Sequence, residues 1–422
     1  MLIGKVIHNC FFSTFRTNYS ILFFNDQFNL VMIFLILQVL LIIYLGTITF
    51  YIFTISVASL FKQKLKPIIL KKNRKFAVLI PGFKEDQVIL EVAKDAISQD
   101  YPNNLFDIII IADSFLPDTI AQLKRLPITV FEVSFENSTK SKSINKALSL
   151  LPDDYDIALI LDADNLMAKN FLSKINDSFS RGFLCVQAHR TAKNTETSIA
   201  ILDAISEEIN NKLFRKGHRV LGLSSALIGS GMAFDFRNYK NIMQNIHAVG
   251  GFDKELELIL IKSGIKIEYC EDAILFDEKV SESVNFSNQR RRWLSAQYVY
   301  FKLSIGSAFY ELVQHGNFDY FVKSIQFSFL PRILLVGFLS IMLIFSFFMD
   351  FSIFKIIWIV LFFMCFLALL IAVPKHFYNT ATFKALIKIP QSFFIMFITL
   401  FKLHKANEKF IHTQHGSAKK QQ

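Results

Sequence analysis

Residues 27–61 carry no charged side chain, and this stretch most narrows what the chain can fold into. In hydrocarbon every backbone N–H and C=O must be satisfied internally, so an uncharged run of this length predicts one tilted transmembrane helix. Two more uncharged runs, 333–349 and 356–373, are separated only by Asp350-Phe351-Ser352-Ile353-Phe354-Lys355, a connection short enough for a hairpin. Residues 387–403 are apolar but broken by Lys388, Pro390 and Lys402. They read as interfacial or re-entrant, with a full span left open. A cleaved signal peptide does not fit the first run, which is too long, begins too late and lacks a small-residue cleavage site.

The chain as a whole is 52% hydrophobic and 19% charged, too apolar for a soluble protein and too charged for a pure membrane bundle. Its excess of basic residues is local. Lys62, Lys64, Lys66, Lys71, Lys72, Arg74 and Lys75 follow the first run at once, while its N-terminal flank is poor in Lys and Arg. Positive flanks mark the cytoplasmic side, so the region from Lys62 to about Arg332 is expected in the cytoplasm. The net charge of +11 sits beside membrane segments, where anionic lipid accounts for it. No nucleic-acid-binding motif is present, so nucleic acid is not an expected partner. Cys10, Cys185, Cys270 and Cys365 lack metal-ligand spacing and read as reduced thiols.

From Phe76 the pattern alternates. Short apolar runs at 76–80, 107–112, 128–133 and 157–161 are separated by helical patterns at 87–99, 117–126 and 141–151. Strands alternating with helices of this length predict βαβ units, hence an α/β fold with a mainly parallel, Rossmann-like sheet and flanking helices. No Gly-rich fingerprint follows the first strand, which argues against a dinucleotide site.

Acidic groups end several of these runs: Glu85 beyond the first, Asp113 after the second, and Asp162-Ala163-Asp164 after the fourth. The C-terminal edge of an open α/β sheet is where ligands bind. Paired hard oxygen donors there suit Mg²⁺ or Mn²⁺, which complete their shells with substrate phosphates. Helix capping is the alternative for any one of these acids; three converging on one edge suggest a nucleotide-plus-metal pocket.

Ala77-Val78-Leu79-Ile80-Pro81-Gly82-Phe83-Lys84-Glu85, Ser98-Gln99-Asp100-Tyr101-Pro102 and Gln289-Arg290-Arg291-Arg292-Trp293 stand in order around the acidic strand ends. With them the chain resembles the membrane-attached inverting glycosyltransferases of family 2, related to cellulose, chitin and hyaluronan synthases: the first segment resembles the family's opening and the second its Gln-Asp-Tyr-Pro segment. Lys142-Ser143-Ile144-Asn145-Lys146-Ala147-Leu148 resembles the Lys-x-x-Ala-Leu-Asn region, and Gly229-Ser230-Gly231 the Gly-Thr-Gly loop. Gln289-Arg290-Arg291-Arg292-Trp293 contains the Gln-x-x-Arg-Trp signature, and Phe410-Ile411-His412-Thr413 resembles the ending of one bacterial branch.

The resemblance implies a GT-A fold that moves a sugar from a UDP- or GDP-linked donor to a glycan or lipid-linked acceptor with Mg²⁺ or Mn²⁺. Asp253 would be the general base. Pro81, Glu85, Asp113, Lys142, Asp162, Gln289 and Arg292 would contact the donor. Gly229, Ser230, Gly231 and Trp293 would face the acceptor. Asp162 and Asp164 would form the metal motif, with Asp164 the direct ligand and Asp162 supporting the sugar or ribose. Two departures stand out: Phe252 replaces the Glu that commonly precedes the base, and Ala112-Asp113 keeps one of two expected Asp residues.

The implied layout is an N-terminal segment with the first span (1–61), a cytoplasmic catalytic domain (62–300), interfacial helices (301–332), a transmembrane hairpin (333–373), and an interfacial helix with a tail (374–422). A multi-pass protein of the bacterial inner membrane is expected. Tyr298, Tyr300, Phe301, Phe309 and Tyr310 would anchor it at the interface. Processive polysaccharide synthesis and single addition both stay open, as does an export partner or a homo-oligomer. The alternative of a different class is a non-catalytic scaffold or glycan-binding relative with a decayed site.

Overall fold

The computed structural model describes residues 29, 32–68, 71–246, 248, 250–279, 283–348 and 352–400, with the side chains of 283–289 and 352 outside the description. The expected C-terminal motif at Phe410, Ile411, His412 and Thr413, the side chain of Gln289 and Cys10 therefore lie outside the described residues.

Among the described residues, eight strands form one sheet: β1 (Phe76–Phe83), β2 (Phe106–Asp113), β3 (Thr129–Val133), β4 (Ile157–Ile160), β5 (Leu166–Met167), β6 (Cys185–Ala192), β7 (Met232–Asp235) and β8 (Ile267–Asp277). Their order is β3-β2-β1-β4-β7-β6-β8-β5. The β3-β2-β1-β4 half is parallel, as the alternating pattern predicts. Beyond β4 the sheet is mixed, because β7 runs antiparallel to both β4 and β6, while β8 returns parallel to β6. The α/β expectation is borne out, with the parallel character confined largely to the first half.

The helices in chain order are α1 (Met32–Ala58), α2 (Ile89–Ile97), α3 (Pro117–Leu123), α4 (Lys140–Leu150), α5 (Phe171–Ser180), α6 (Ser198–Asn210), α7 (His218–Val220), α8 (Phe236–Met243) and α9 (Phe252–Lys262). Then come α10 (Ser283–His315), α11 (Phe318–Gln326), α12 (Arg332–Ser346), α13 (Ser352–Ala372), α14 (Thr380–Leu386) and α15 (Ile389–Leu400). A π-helical turn, Asn211–Gly217, joins α6 to α7.

The alternation of side chains along each strand splits the core in two. Val78, Ile80, Ile108 and Ile110 point to the layer of α2, α3 and α5, where Val88, Ile89, Leu123, Phe171 and Ile175 are buried. Ala77, Leu79, Ile109 and Ile111 point to the layer of α4, α8 and α9, onto Ile144, Leu148, Phe236, Tyr239 and Leu256. Covered on both faces, these strands must be apolar throughout, which is why they read as unbroken hydrophobic runs. Each fully buried Leu, Ile or Phe contributes roughly 1.5–3 kcal/mol.

A third core joins the sheet domain to the apolar helices. Leu45, Ile48, Ile52 and Ile55 of α1 pack with Ile201, Ala204, Ile205 and Ile209 of α6, and with Trp358, Ala368 and Ala372 of α13. Contact is close at Gly217, where a Cβ would stand 2.3 Å from the carbonyl oxygen of Ile55.

Among the described residues, two helices are long and apolar enough to cross a bilayer: α1, with mean hydropathy 2.5, and residues Ile353–Ala372 of α13, with mean hydropathy 2.8. The count becomes three if α14 and α15, bent by 43° at their break, act as one broken span. With 15 residues, α12 is shorter than the run at 333–349 suggests; at 1.5 Å per residue it reaches about 22 Å against a hydrocarbon core of about 30 Å. The expected boundary at 300 falls inside α10, which continues unbroken across it.

Candidate active site

Strand register explains why the acids gather. Phe83 of β1 pairs with Asp113, and Leu79 pairs with Ile160, so Pro81, Asp113 and Asp162 end at one edge. Just past β1 and β2, Lys84 (φ 55°) and Ser114 (φ 58°) adopt left-handed conformations. Such conformations are costly for non-glycine residues and cluster at functional sites. Glu85 follows, 7% exposed. Asp113 is buried, and its carboxylate accepts from Ser114 Oγ at 3.0 Å and from Ser143 Oγ of α4 at 3.4 Å. It lies two strands from Asp162 in the sheet order.

Asp162, Asp164 and Asp277 form the centre, each offering a carboxylate oxygen within 4.8 Å of the others. Three hard oxygen donors this close suit Mg²⁺ or Mn²⁺, so the residues fit such an ion. Asn165 braces the group by donating to Asp164 Oδ1 at 3.2 Å and Asp277 Oδ1 at 3.0 Å. The backbone N–H of Glu278 donates to Asp164 Oδ2 at 3.2 Å. The sequence reading reached only Asp162 and Asp164. Asp277 carries the same signal, an acid closing the apolar stretch Ala273-Ile274-Leu275-Phe276, but as a single Asp without the paired acid of Asp162-Ala163-Asp164.

The loop at 229–231 is pinned beside this centre. Asp162 N–H donates to Ser230 Oγ at 2.9 Å, and Ser230 Oγ donates in turn to Asn165 Oδ1. Gly231 N–H donates to the carbonyl of Ile160 at 2.9 Å. Gly231 has φ 63°, and a Cβ there would meet Ala188 Cβ at 3.3 Å, so glycine is required by both conformation and space.

Cations surround the carboxylates. Lys140 Nζ donates to Asp162 Oδ1 and, at 2.7 Å, to the carbonyl of Gly229. Arg190 reaches Asp277 at 3.5 Å, Asp162 at 4.0 Å and Glu207 of α6 at 2.9 Å. Lys279 pairs with Asp277 at 2.8 Å. Burial pushes the Asp277 carboxyl up, but Arg190 and Lys279 outweigh that and hold it below the usual range. Glu207 behaves likewise: burial raises it, and Arg190, Arg215 and Lys279 together hold it well below.

Lys142, the lysine singled out from sequence, is exposed and donates to the carbonyl of Asn137 at 2.8 Å, away from the carboxylates. Helix phase accounts for this. Ile144, Ala147 and Leu148 face the sheet, and Lys140, one turn before Ile144, shares that face, whereas Lys142 does not.

The helix carrying Asp253 arrives from the other side. Gly251 (φ 70°) turns the chain into α9, and a Cβ there would meet Ala296 of α10 at 2.9 Å. Phe252 lies under Lys140, with Nζ 5.6 Å from the ring centroid, which ties the start of α9 to Asp162 and Gly229 through one lysine. Of the three acids here, Glu255 accepts from Tyr300 OH at 3.3 Å and Glu257 pairs with Lys323 at 2.7 Å. Asp253 has Lys254 at 3.9 Å.

In α10, Arg290 pairs with Asp203 of α6 at 2.5 Å and stacks over Trp293 at 4.5 Å. Asp203 stands one helical turn before Glu207, so α6 presents an acidic face linking this signature to Arg190 and Lys279. Trp293 remains 40% exposed. Arg292 is half-buried, which lowers its pKa. An open cleft of about 520 Å³ lies elsewhere, between the end of α9 and the α10–α11 turn, and shares no residue with the carboxylate centre.

The profile of the family described as "Glycosyltransferase like family 2" matches residues 73–296, more than half of the chain. No curated protein matches it. Among solved structures, the mannosyltransferase PcManGT from Pyrobaculum calidifontis in complex with GDP-Man and Mn²⁺ is similar over 81% of this chain and 99% of its own, at 12% identity and TM-score 0.47. S. aureus TarS 1–349 in complex with UDP-GlcNAc is similar over 53% of this chain and 66% of its own, at 15% identity and TM-score 0.36. Glucosyl-3-phosphoglycerate synthase from Mycobacterium tuberculosis, in complex with Mn²⁺, UDP and glucosyl-3-phosphoglycerate, covers 53% of this chain and 78% of its own, at 14% identity and TM-score 0.37.

Proposed function

The chain belongs to the glycosyltransferase-like family 2, and from that premise we propose that it is a membrane-bound, metal-dependent, inverting hexosyltransferase acting on a glycan or lipid-linked acceptor. The observation that carries this reading is the meeting of Asp162, Asp164 and Asp277 with the 229–231 loop and, through Lys140 and Phe252, with the helix of Asp253.

A UDP- or GDP-linked donor would lie along the sheet edge, its nucleoside toward Glu85 and Asp113. A divalent ion held by Asp162, Asp164 and Asp277 would offset charge developing on the leaving diphosphate. Asn165 and the Glu278 N–H hold the carboxylates of Asp164 and Asp277 in a fixed orientation. Lys140 adds a fixed positive charge on the donor side.

On the acceptor side, Asp253 would take the proton of the attacking hydroxyl as that oxygen bonds to the anomeric carbon. Glu255 and Glu257 are engaged by Tyr300 and Lys323, which supports Asp253 as the base. One displacement inverts the anomeric centre and needs no covalent enzyme intermediate. Trp293 offers a flat apolar face for a sugar ring.

Two or three candidate spans among the described residues make a thin channel, which favours a lipid-linked acceptor or an assembly of several chains over export through one copy. The catalytic domain would face the cytoplasm of a bacterial cell, with the basic residues after α1 against the inner leaflet.

The test is donor turnover. Full-length protein in nanodiscs is given a panel of UDP- and GDP-sugars with Mg²⁺ or Mn²⁺, lipid and glycan acceptors, and an Asp253→Asn control. Nucleoside diphosphate release that needs both metal and Asp253 supports the proposal. Donor binding without release from any mixture would instead support a non-catalytic glycan-binding protein.

A further inference from the structure

A second cluster of polar groups, some buried and some half-buried and unused by the chemistry above, lies where α1, α7, α9 and α11 meet. Tyr51 of α1 donates its hydroxyl to His218 Nε2 at 2.6 Å, and His218 Nδ1–H donates to the carbonyl of Ser224 at 3.1 Å. Asp319 of α11 accepts from Ser224 N–H at 2.9 Å, from Ser224 Oγ at 2.6 Å and from Lys266 Nζ at 2.7 Å. One turn along α11, Lys323 pairs with Glu257 of α9 at 2.7 Å, and both side chains are almost wholly buried.

Two spacings make this cluster more than packing. Asp319 and Lys323 are four apart on α11 and share a face, so one helix grips two separate elements. Asp253 and Glu257 are four apart on α9 and share a face as well, about 6 Å along the axis. Fixing Glu257 therefore fixes the turn that carries Asp253. Ser224 begins the segment that reaches Gly229 through the bond from Ile228 N–H to Gln187 Oε1. An apolar contact would let α9 slide along α11, whereas breaking a buried ion pair leaves an uncompensated charge and is costly.

Resting on the transferase reading, we propose that Lys323 is a positioning residue: its ion pair with Glu257 sets the placement of Asp253. Through Asp319 the same helix sets the 224–231 loop, so both acceptor-side elements are held in register with the first membrane helix.

The test uses full-length protein in nanodiscs, with Lys323→Met, Lys323→Arg and the double variant Glu257→Gln/Lys323→Gln. Hydrogen exchange is followed by peptide, and nucleoside diphosphate release is followed with UDP- and GDP-linked hexoses and Mn²⁺. Lys323→Met is expected to speed exchange in 252–262 and 224–231 while β1 and β2 stay protected. Its kcat should fall about 10- to 100-fold, the scale of a small misplacement of a reacting group, with donor KM nearly unchanged, and Lys323→Arg should recover both. If Lys323→Met does not fold, the neutral double variant carries the test, with the same pattern in milder form. Unchanged exchange in α9 together with unchanged kcat overturns the proposal; so does a loss spread evenly over exchange, donor KM and kcat. A wild-type protein that turns over no donor overturns the transferase reading instead, while the exchange pattern still reports whether Lys323 holds α9.

Discussion

Asp164 and Asp277 share one amide: Asn165 donates to the first at 3.2 Å and to the second at 3.0 Å, bringing the ends of β4 and β8 together. Two carboxylates this close repel unless cations or donors are shared between them. The arrangement makes Asp277 as much part of the centre as the two Asp residues of the sequence motif.

Asp277→Asn is therefore expected to weaken Mn²⁺ binding by at least about 10- to 100-fold, since even outer partners of a metal site cost that much when lost. Titration calorimetry with Mn²⁺ alone checks this without a substrate. Affinity equal to wild type would remove Asp277 from the centre.

Lys140 and Lys142 should separate cleanly. Lys140→Met removes a charge bonded to Asp162 and Gly229; bonds to charged groups contribute about 1.5–3 kcal/mol, or roughly 10- to 100-fold in affinity or rate. Lys142→Met, on the exposed face of α4, should stay within about 0.5 kcal/mol in stability and leave turnover unchanged. Steady-state kinetics on the two variants, side by side, distinguish them.

Gly217→Ala should loosen the union of the sheet domain with α1. The added methyl would stand 2.3 Å from the Ile55 carbonyl, a backbone atom that cannot rotate away. Overpacking of this kind typically costs about 1–3 kcal/mol. Thermal unfolding in nanodiscs should show a lower Tm than wild type.

Stability should fall as pH drops from neutrality. Burial, reinforced by Lys323, pushes the His218 imidazole down to about 3, below its ordinary value of about 6.5. The unfolded chain therefore takes up a proton first, and stability is lost progressively between those two values, by at most ~1.4 kcal/mol per pH unit for one group. For Glu208 and Asp319, burial raises the pKa but hydrogen bonds and ion pairs bring it below the ordinary value. Their contribution is present above the ordinary carboxylate range and is lost as pH falls through the folded values. Denaturant midpoints measured against pH should show both phases, and His218→Gln should flatten only the upper one.

Much of the sheet was legible because buried parallel strands must be apolar on both faces. The runs around Val78, Ile109 and Leu159 announce themselves without reference to their neighbours. The mixed half was not, because the direction of β7 depends on where the chain re-enters after α6 and its π-helical turn. Lys140 was available in principle from the phase of α4, where Ile144, Ala147 and Leu148 mark the inner face.

What the sequence by itself determined are the properties carried by short stretches: apolar segments fit for a bilayer, an α/β alternation, and acids at strand ends. Those follow from local periodicity and from the cost of burying charge. Tertiary structure alone decided which distant groups would meet: Asp277 with Asp164, Phe252 with Lys140, Lys323 with Glu257. Each of those contacts is set by strand register or helix packing between segments far apart in the chain, and no local pattern encodes a partner's position.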